Sequence, residues 1–86
     1  MNLRHSIHYA EDINGERLVE GDKVRVTQAY LERFRGTLSK LGEELTIVEM
    51  YKIPSVYPGE MLGELRYCNG RGVKWNSLLN LYEKVK

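Results

Sequence analysis

The sequence predicts an all-β domain, a small five-stranded barrel carrying an N-terminal β-hairpin and one short 3-10 turn, on three observations. Residues 69–82, NGRGVKWNSLLNLY, read as a tight hairpin, a strand and a one-turn helix in immediate succession. Val24 and Val26 alternate with Lys23, Arg25 and Thr27, the period-two pattern of a strand with one wet face. Residues 44–53 place Leu45, Ile47, Val48, Met50 and Tyr51 on both parities, which predicts a central strand covered on both faces.

The elements follow in chain order. Ile7 and Tyr9 alternate within residues 6–10 and lead to Asp12-Ile13-Asn14-Gly15, a turn with Asp and Gly three apart. Asn14-Gly15 also fits a two-residue type I′ turn, and the two choices face Leu18 in opposite directions. Both registers stay open at this point. The hairpin occupies residues 1–20 of a single domain, and the barrel residues 21–86. In residues 30–44, Leu31, Phe34, Leu38 and Leu41 have helical spacing, but Gly36, Thr37 and Gly42 interrupt them, which predicts a long folded-back loop. Pro54 and Pro58-Gly59 end the central strand and make a second loop.

Residues 61–68 form the fourth strand, with Leu65 and Tyr67 inward. Asn69 and Gly72 have the spacing of a type I turn whose last residue is left-handed, a conformation Gly adopts at low steric cost. A two-residue turn at Asn69-Gly70 would set Leu65 opposite Lys74 and bury a lysine. A bulged turn sets Tyr67 opposite Trp75 instead, and the apolar pattern favours it. Residues 77–80 are too few for an α-helix and fit one 3-10 turn, leaving residues 81–85 as the last strand.

Composition narrows the class. Eighty-six residues make one domain, the AVILMFWYC fraction of 42% suffices for a core, and a single Cys excludes an internal disulfide. No apolar run approaches the roughly 18 residues that span a bilayer, and the opening MNLRHSIHYAED lacks the apolar stretch of a secretory signal. A cytoplasmic protein with no membrane partner is expected. Thirteen Lys and Arg balance twelve Asp and Glu, so no global field steers the chain toward nucleic acid. Residues 9–22 are acidic, residues 23–40 basic, and Arg66, Arg71 and Lys74 form a second basic cluster.

Catalytic chemistry finds little footing. His5 and His8 have a chelating separation but no third or fourth ligand beside them in sequence, and structural zinc takes four. Cys68 is a lone thiol without a neighbouring base, read as a small buried hydrophobe. Glu43 and Glu44 are adjacent, so in a strand they face opposite sides. Asn69-Gly70-Arg71-Gly72 serves a hairpin and precedes no helix, so it is not a phosphate loop. The expectation is a non-enzymatic binding module without metal or cofactor.

The partner expected first is another protein, docking on residues 30–36 and 53–61, where arginine, tyrosine and proline lie away from the core. Tyr30, Phe34, Tyr57 and Trp75, with Arg33 and Arg35, are the candidate contacts. The alternative is nucleic acid held on a stripe of Lys23, Arg25, Arg66, Arg71 and Lys74. A third reading is a structural, self-associating subunit; the sequence leaves the oligomeric state open.

The succession of a GD-x-V-x-V strand, a long folded-back loop, a G-E-E-L-T-I-V strand, a loop, a tight hairpin and G-V-K-W-N-S-L-L resembles an SH3-like barrel over residues 18–85. In that family Gly–apolar–x–Pro–Ser–Asn–Tyr–Val commonly closes the barrel. Here Trp75 stands for the usual Pro and Leu78 for the usual Tyr, and the tryptophan expected early in the strand after the second loop is absent from residues 60–65. Recognition of proline-rich peptides, which needs an aromatic groove, is therefore not carried over. The opening YAEDINGERLVEGDKVRV resembles small bacterial and prophage accessory proteins, which implies a phage or mobile-element accessory role.

Overall fold

The computed structural model describes residues 3–86. Its strands are β1 (His5–Ser6), β2 (Ala10–Glu11), β3 (Arg17–Leu18), β4 (Lys23–Val26), β5 (Glu44–Lys52), β6 (Leu62–Tyr67), β7 (Val73–Leu78) and β8 (Tyr82–Lys84). One helix, α1 (Gln28–Arg33), follows β4, and a 3-10 turn, Leu79–Leu81, links β7 to β8. The chain is thus mostly β, as predicted, but with eight strands rather than five.

The main sheet runs β7-β6-β5-β4-β8, with β1 on the far half of β5, where His5 faces Lys52 and Ser6 faces Tyr51. Since β7 and β8 do not pair, the sheet curls without closing, which corrects the expected closed barrel. Side chains seal the gap instead. Leu79 of the 3-10 turn and Tyr82 of β8 are fully buried, and the Tyr82 ring packs 5.2 Å from that of Tyr30 on α1. The three strands beyond five come from residues 5–18, which are tied to the rest of the fold. Ala10 faces Leu18 across β2 and β3, and both enter the same core as Val24, Val26, Leu45 and Ile47.

Asp12 decides the register of this hairpin. Its carbonyl accepts from the Gly15 N–H at 3.1 Å while its own N–H donates to the Glu16 carbonyl at 2.9 Å, a turn over residues 12–15 with left-handed Gly15. Asn14 does not have the positive φ that the type I′ alternative needs. The Asp12 side chain is buried and takes three backbone N–H groups at 2.8 Å each: Asn14 and Glu16 on Oδ1, Lys84 on Oδ2. Burial pushes its carboxyl upward, but the N–H groups of Lys84, Glu16 and Asn14 and the charge of Lys86 outweigh this and hold it below the usual aspartate value.

The segment predicted as a loop begins with a helix. Thr27 caps α1, its Oγ1 accepting from the Tyr30 N–H at 3.2 Å and donating to the Leu81 carbonyl at 2.6 Å. Six residues suffice because Tyr30 buries its side chain, so tertiary packing rather than length stabilises the helix.

The two-parity pattern of β5 has two origins, a bulge and, beyond it, the cover on both faces that was predicted. Ile47 pairs with Leu65 and Glu49 with Glu64, so Val48 is an extra residue, a β-bulge. The bulge shifts the buried positions from Leu45 and Ile47 to Met50 and Tyr51, while Val48 itself is exposed. The strand is central, between β4 and β6; Met50 joins Leu45 and Ile47 in the main core, and Tyr51 on the opposite face joins a second cluster with Ile53, Leu62 and Leu78, so both faces are covered past the bulge.

The hairpin joining β6 to β7 adopts the register the apolar pattern disfavours. Leu65 faces Lys74 and Arg66 faces Val73. The turn closes through Gly70 N–H to the Tyr67 carbonyl at 3.1 Å, and Tyr67 N–H bonds the Gly72 carbonyl at 2.9 Å. Gly70, at φ 78°, takes the left-handed place predicted for Gly72 in that turn. Lys74 is tolerated opposite Leu65 because it is only half-buried and its ammonium lies 4.5 Å from the Tyr30 ring centroid.

Candidate docking groove

A second bulge shapes the surface beside α1. Between Gly63↔Ser77 and Leu65↔Lys74 the β6 strand advances two residues and β7 three, so Trp75 and Asn76 share the place of one. Lys74 and Ser77 consequently lie on one face. Asn76 adopts φ 54°, the one positive value among the described non-glycine residues, in a region that Asn tolerates better than most. Tyr51 holds it there: its hydroxyl donates to Asn76 Oδ1 at 2.7 Å and accepts from the Asn76 N–H at 3.0 Å.

Two adjoining hollows open along this bulge, with volumes of about 290 and 250 Å³. The first lies among Arg33, Phe34, Val56, Tyr57, Pro58 and Glu60, the second among Tyr30, Phe34, Thr37, Lys74, Trp75 and Ser77. Phe34, Asn76 and Leu78 belong to both and make the two a continuous groove. Its walls are the α1 segment and the β5–β6 loop on one side and β7, an edge strand of the sheet, on the other.

Of the residues proposed for protein docking, five line the groove. Tyr30 is almost fully buried and forms its floor, its ring 4.9 Å from that of Phe34. Phe34 and Tyr57 are half-buried, and Trp75 is 58% exposed, offering aromatic surface from three segments of the chain. Arg33 lies 5.3 Å from the Phe34 centroid. Arg35 is exposed and lines neither hollow. Behind Trp75, Arg4 sits over the Tyr51 ring at 3.9 Å, 5.5 Å from the Trp75 centroid, and pairs with Glu49 at 3.2 Å. Sequence reasoning missed Asn76 and Ser77; an Asn following an exposed aromatic in a strand was the available signal of a bulge.

The polar groups of the groove are unevenly matched. Lys74 Nζ donates to Ser39 Oγ at 3.3 Å, and burial lowers its ammonium from the usual lysine value. Among the described residues neither Lys74 nor Arg33 has a carboxylate within 4.0 Å. Ser77 is 4% exposed, and its Oγ is buried beside the Tyr82 hydroxyl, neither oxygen having a further hydrogen-bond partner. Burial lifts the Tyr82 phenol far above the usual tyrosine range, and the neighbouring Ser77 hydroxyl offsets only part of this.

The basic stripe is largely matched within the protein. Lys23 pairs with Glu44 at 4.0 Å, Arg25 with Glu83 at 3.2 Å and Arg71 with Glu43 at 3.1 Å, while Arg66 is exposed beside Val73. Cys68, expected buried, is exposed beside the tight turn, with its sulfur 3.5 Å from Thr46 Oγ1. Among the described residues no three His, Cys, Asp or Glu side chains converge as a metal site, and no helix is long and apolar enough to cross a membrane. A further hollow of about 350 Å³, among Ile7, His8, Arg17, Val19, Glu20 and Met50, presents no Phe, Tyr or Trp. No protein-family model matches this chain, and neither does any curated protein or solved structure.

Proposed function

We propose that this chain is a non-enzymatic, SH3-like binding module that captures a protein partner in the groove between α1, the β5–β6 loop and β7. The observation that carries this reading is the convergence of Phe34, Tyr57 and Trp75 on one open groove. Aromatic anchors of this kind supply large contact area at low entropy cost, and they dominate protein interfaces. The order β4–β5–β6–β7, a 3-10 turn and the return of β8 to β4 supports an SH3-like assignment of residues 21–86. The carboxylate partners of Lys23, Arg25 and Arg71 favour a protein over nucleic acid, because paired cations release fewer counterions from phosphates. A cytoplasmic accessory role in a phage or mobile element is the setting we infer from the opening segment.

The test is affinity capture from a lysate of the source organism, comparing the wild-type chain with a Tyr57→Ala/Trp75→Ala variant shown to be folded by thermal melting. Proteins retained by the wild type and lost from the variant are expected. Equal retention by both overturns the reading, as does retention of nucleic acid alone with a steep salt dependence.

A further inference from the structure

We propose that the groove takes an extended acidic peptide segment, with a carboxylate side chain docking on Lys74 and an adjacent apolar side chain on Phe34 and Tyr57. This rests on the docking reading above and names the chemistry of the partner. Two independent observations point to an anionic acceptor. Lys74 is half-buried with no carboxylate partner among the described residues, while Lys23, Arg25 and Arg71 are paired. Arg33, in the adjoining hollow, likewise has no carboxylate within 4.0 Å among the described residues.

A half-buried ammonium without a counter-charge is costly, and an incoming carboxylate recovers part of that cost as a charge-assisted hydrogen bond. Arg33 extends the positive character to the other hollow, where Glu60 is the one carboxylate lining it. The lowered ammonium of Lys74 has the same origin, burial without a counter-charge. The free edge of β7 leaves a row of backbone groups for an extended strand, so the acidic side chain is presented by a peptide.

The experiment pans a displayed random heptapeptide library against the full chain and measures the enriched peptides, made synthetically, by fluorescence polarisation. Enrichment of Asp or Glu next to an apolar or aromatic residue is expected. Binding of those peptides should weaken about tenfold or more in Lys74→Met, hold within about threefold in Lys74→Arg, and fall with added salt. Should Lys74→Met fail to fold, Arg33→Gln on the exposed rim provides the second arm, with about a two- to fivefold loss expected. Enriched peptides without acidic residues that still need Tyr57 and Trp75 overturn the acidic specificity and leave the groove reading standing. Peptides that bind the Tyr57→Ala/Trp75→Ala variant as well as wild type overturn both. Failure to enrich any sequence overturns the peptide proposal.

Discussion

Asp12 and Lys74 are both charged side chains drawn into the fold, and their surroundings differ in kind. The aspartate is nearly inaccessible and takes three backbone N–H groups, two from its own turn and one from Lys84. Its burial serves the fold, fastening the N-terminal hairpin to the last strand. The lysine rests on an aromatic ring and a serine hydroxyl, with no counter-charge among the described residues. Its charge is left unmatched, and the contrast separates a region that stabilises from the region proposed to bind.

Substitutions sharpen or break this contrast, beginning with the largest expected effect. Asp12→Ala removes the acceptor of three part-buried backbone N–H groups and should cost about 2–4 kcal/mol in urea unfolding, with Asp12→Asn in between. The same carboxyl sets an acid limb. Because its folded pKa lies below the unfolded one, its contribution is full above the unfolded value, about pH 4, and is lost as pH falls through the folded value. The Asp12→Ala variant should lose less stability than wild type over that window. Tyr51→Phe removes both hydrogen bonds that hold Asn76 at φ 54° and should cost about 1–2 kcal/mol, with the Asn76 amide resonance moving or broadening in NMR spectra.

Lys74→Met should be the mildest, within about 0.5 kcal/mol of wild type or more stable, because it removes an unpaired desolvated cation and keeps the apolar stem. A loss as large as that of Asp12→Ala would erase the contrast.

Much of the fold was legible because local patterns and global packing agree. Val24 and Val26 point into the core as their alternation requires, and the Asp12–Gly15 spacing identified the first hairpin, although its register was settled only by Asn14 lacking the positive φ that the type I′ alternative needs. What was not legible lay at irregularities. A bulge at Val48 adds to the apolar residues that β5 shows on both parities, and a pattern cannot separate that contribution from the cover on both faces at Met50 and Tyr51. The apolar pattern around Lys74 misjudged the β6–β7 register, because a lysine half-buried against an aromatic ring is not the fully buried charge that the pattern penalises. Helix α1 is six residues long, below the length at which periodicity is informative, and its capping Thr27 has no acidic partner in the first turn. The groove was legible in its aromatics and hidden in its polar groups, since Lys74 and Ser77 share a face only through the second bulge.

The most direct test of the central claim is a titration of the isotopically labelled full chain with an enriched acidic heptapeptide, followed by amide and indole NMR shifts. The account predicts that the Trp75 indole and the amides of Phe34, Tyr57, Asn76 and Ser77 move together, saturate at one peptide per chain and leave residues 10–18 unchanged. Shifts centred on that hairpin, with the Trp75 and Asn76 signals unmoved, would contradict it.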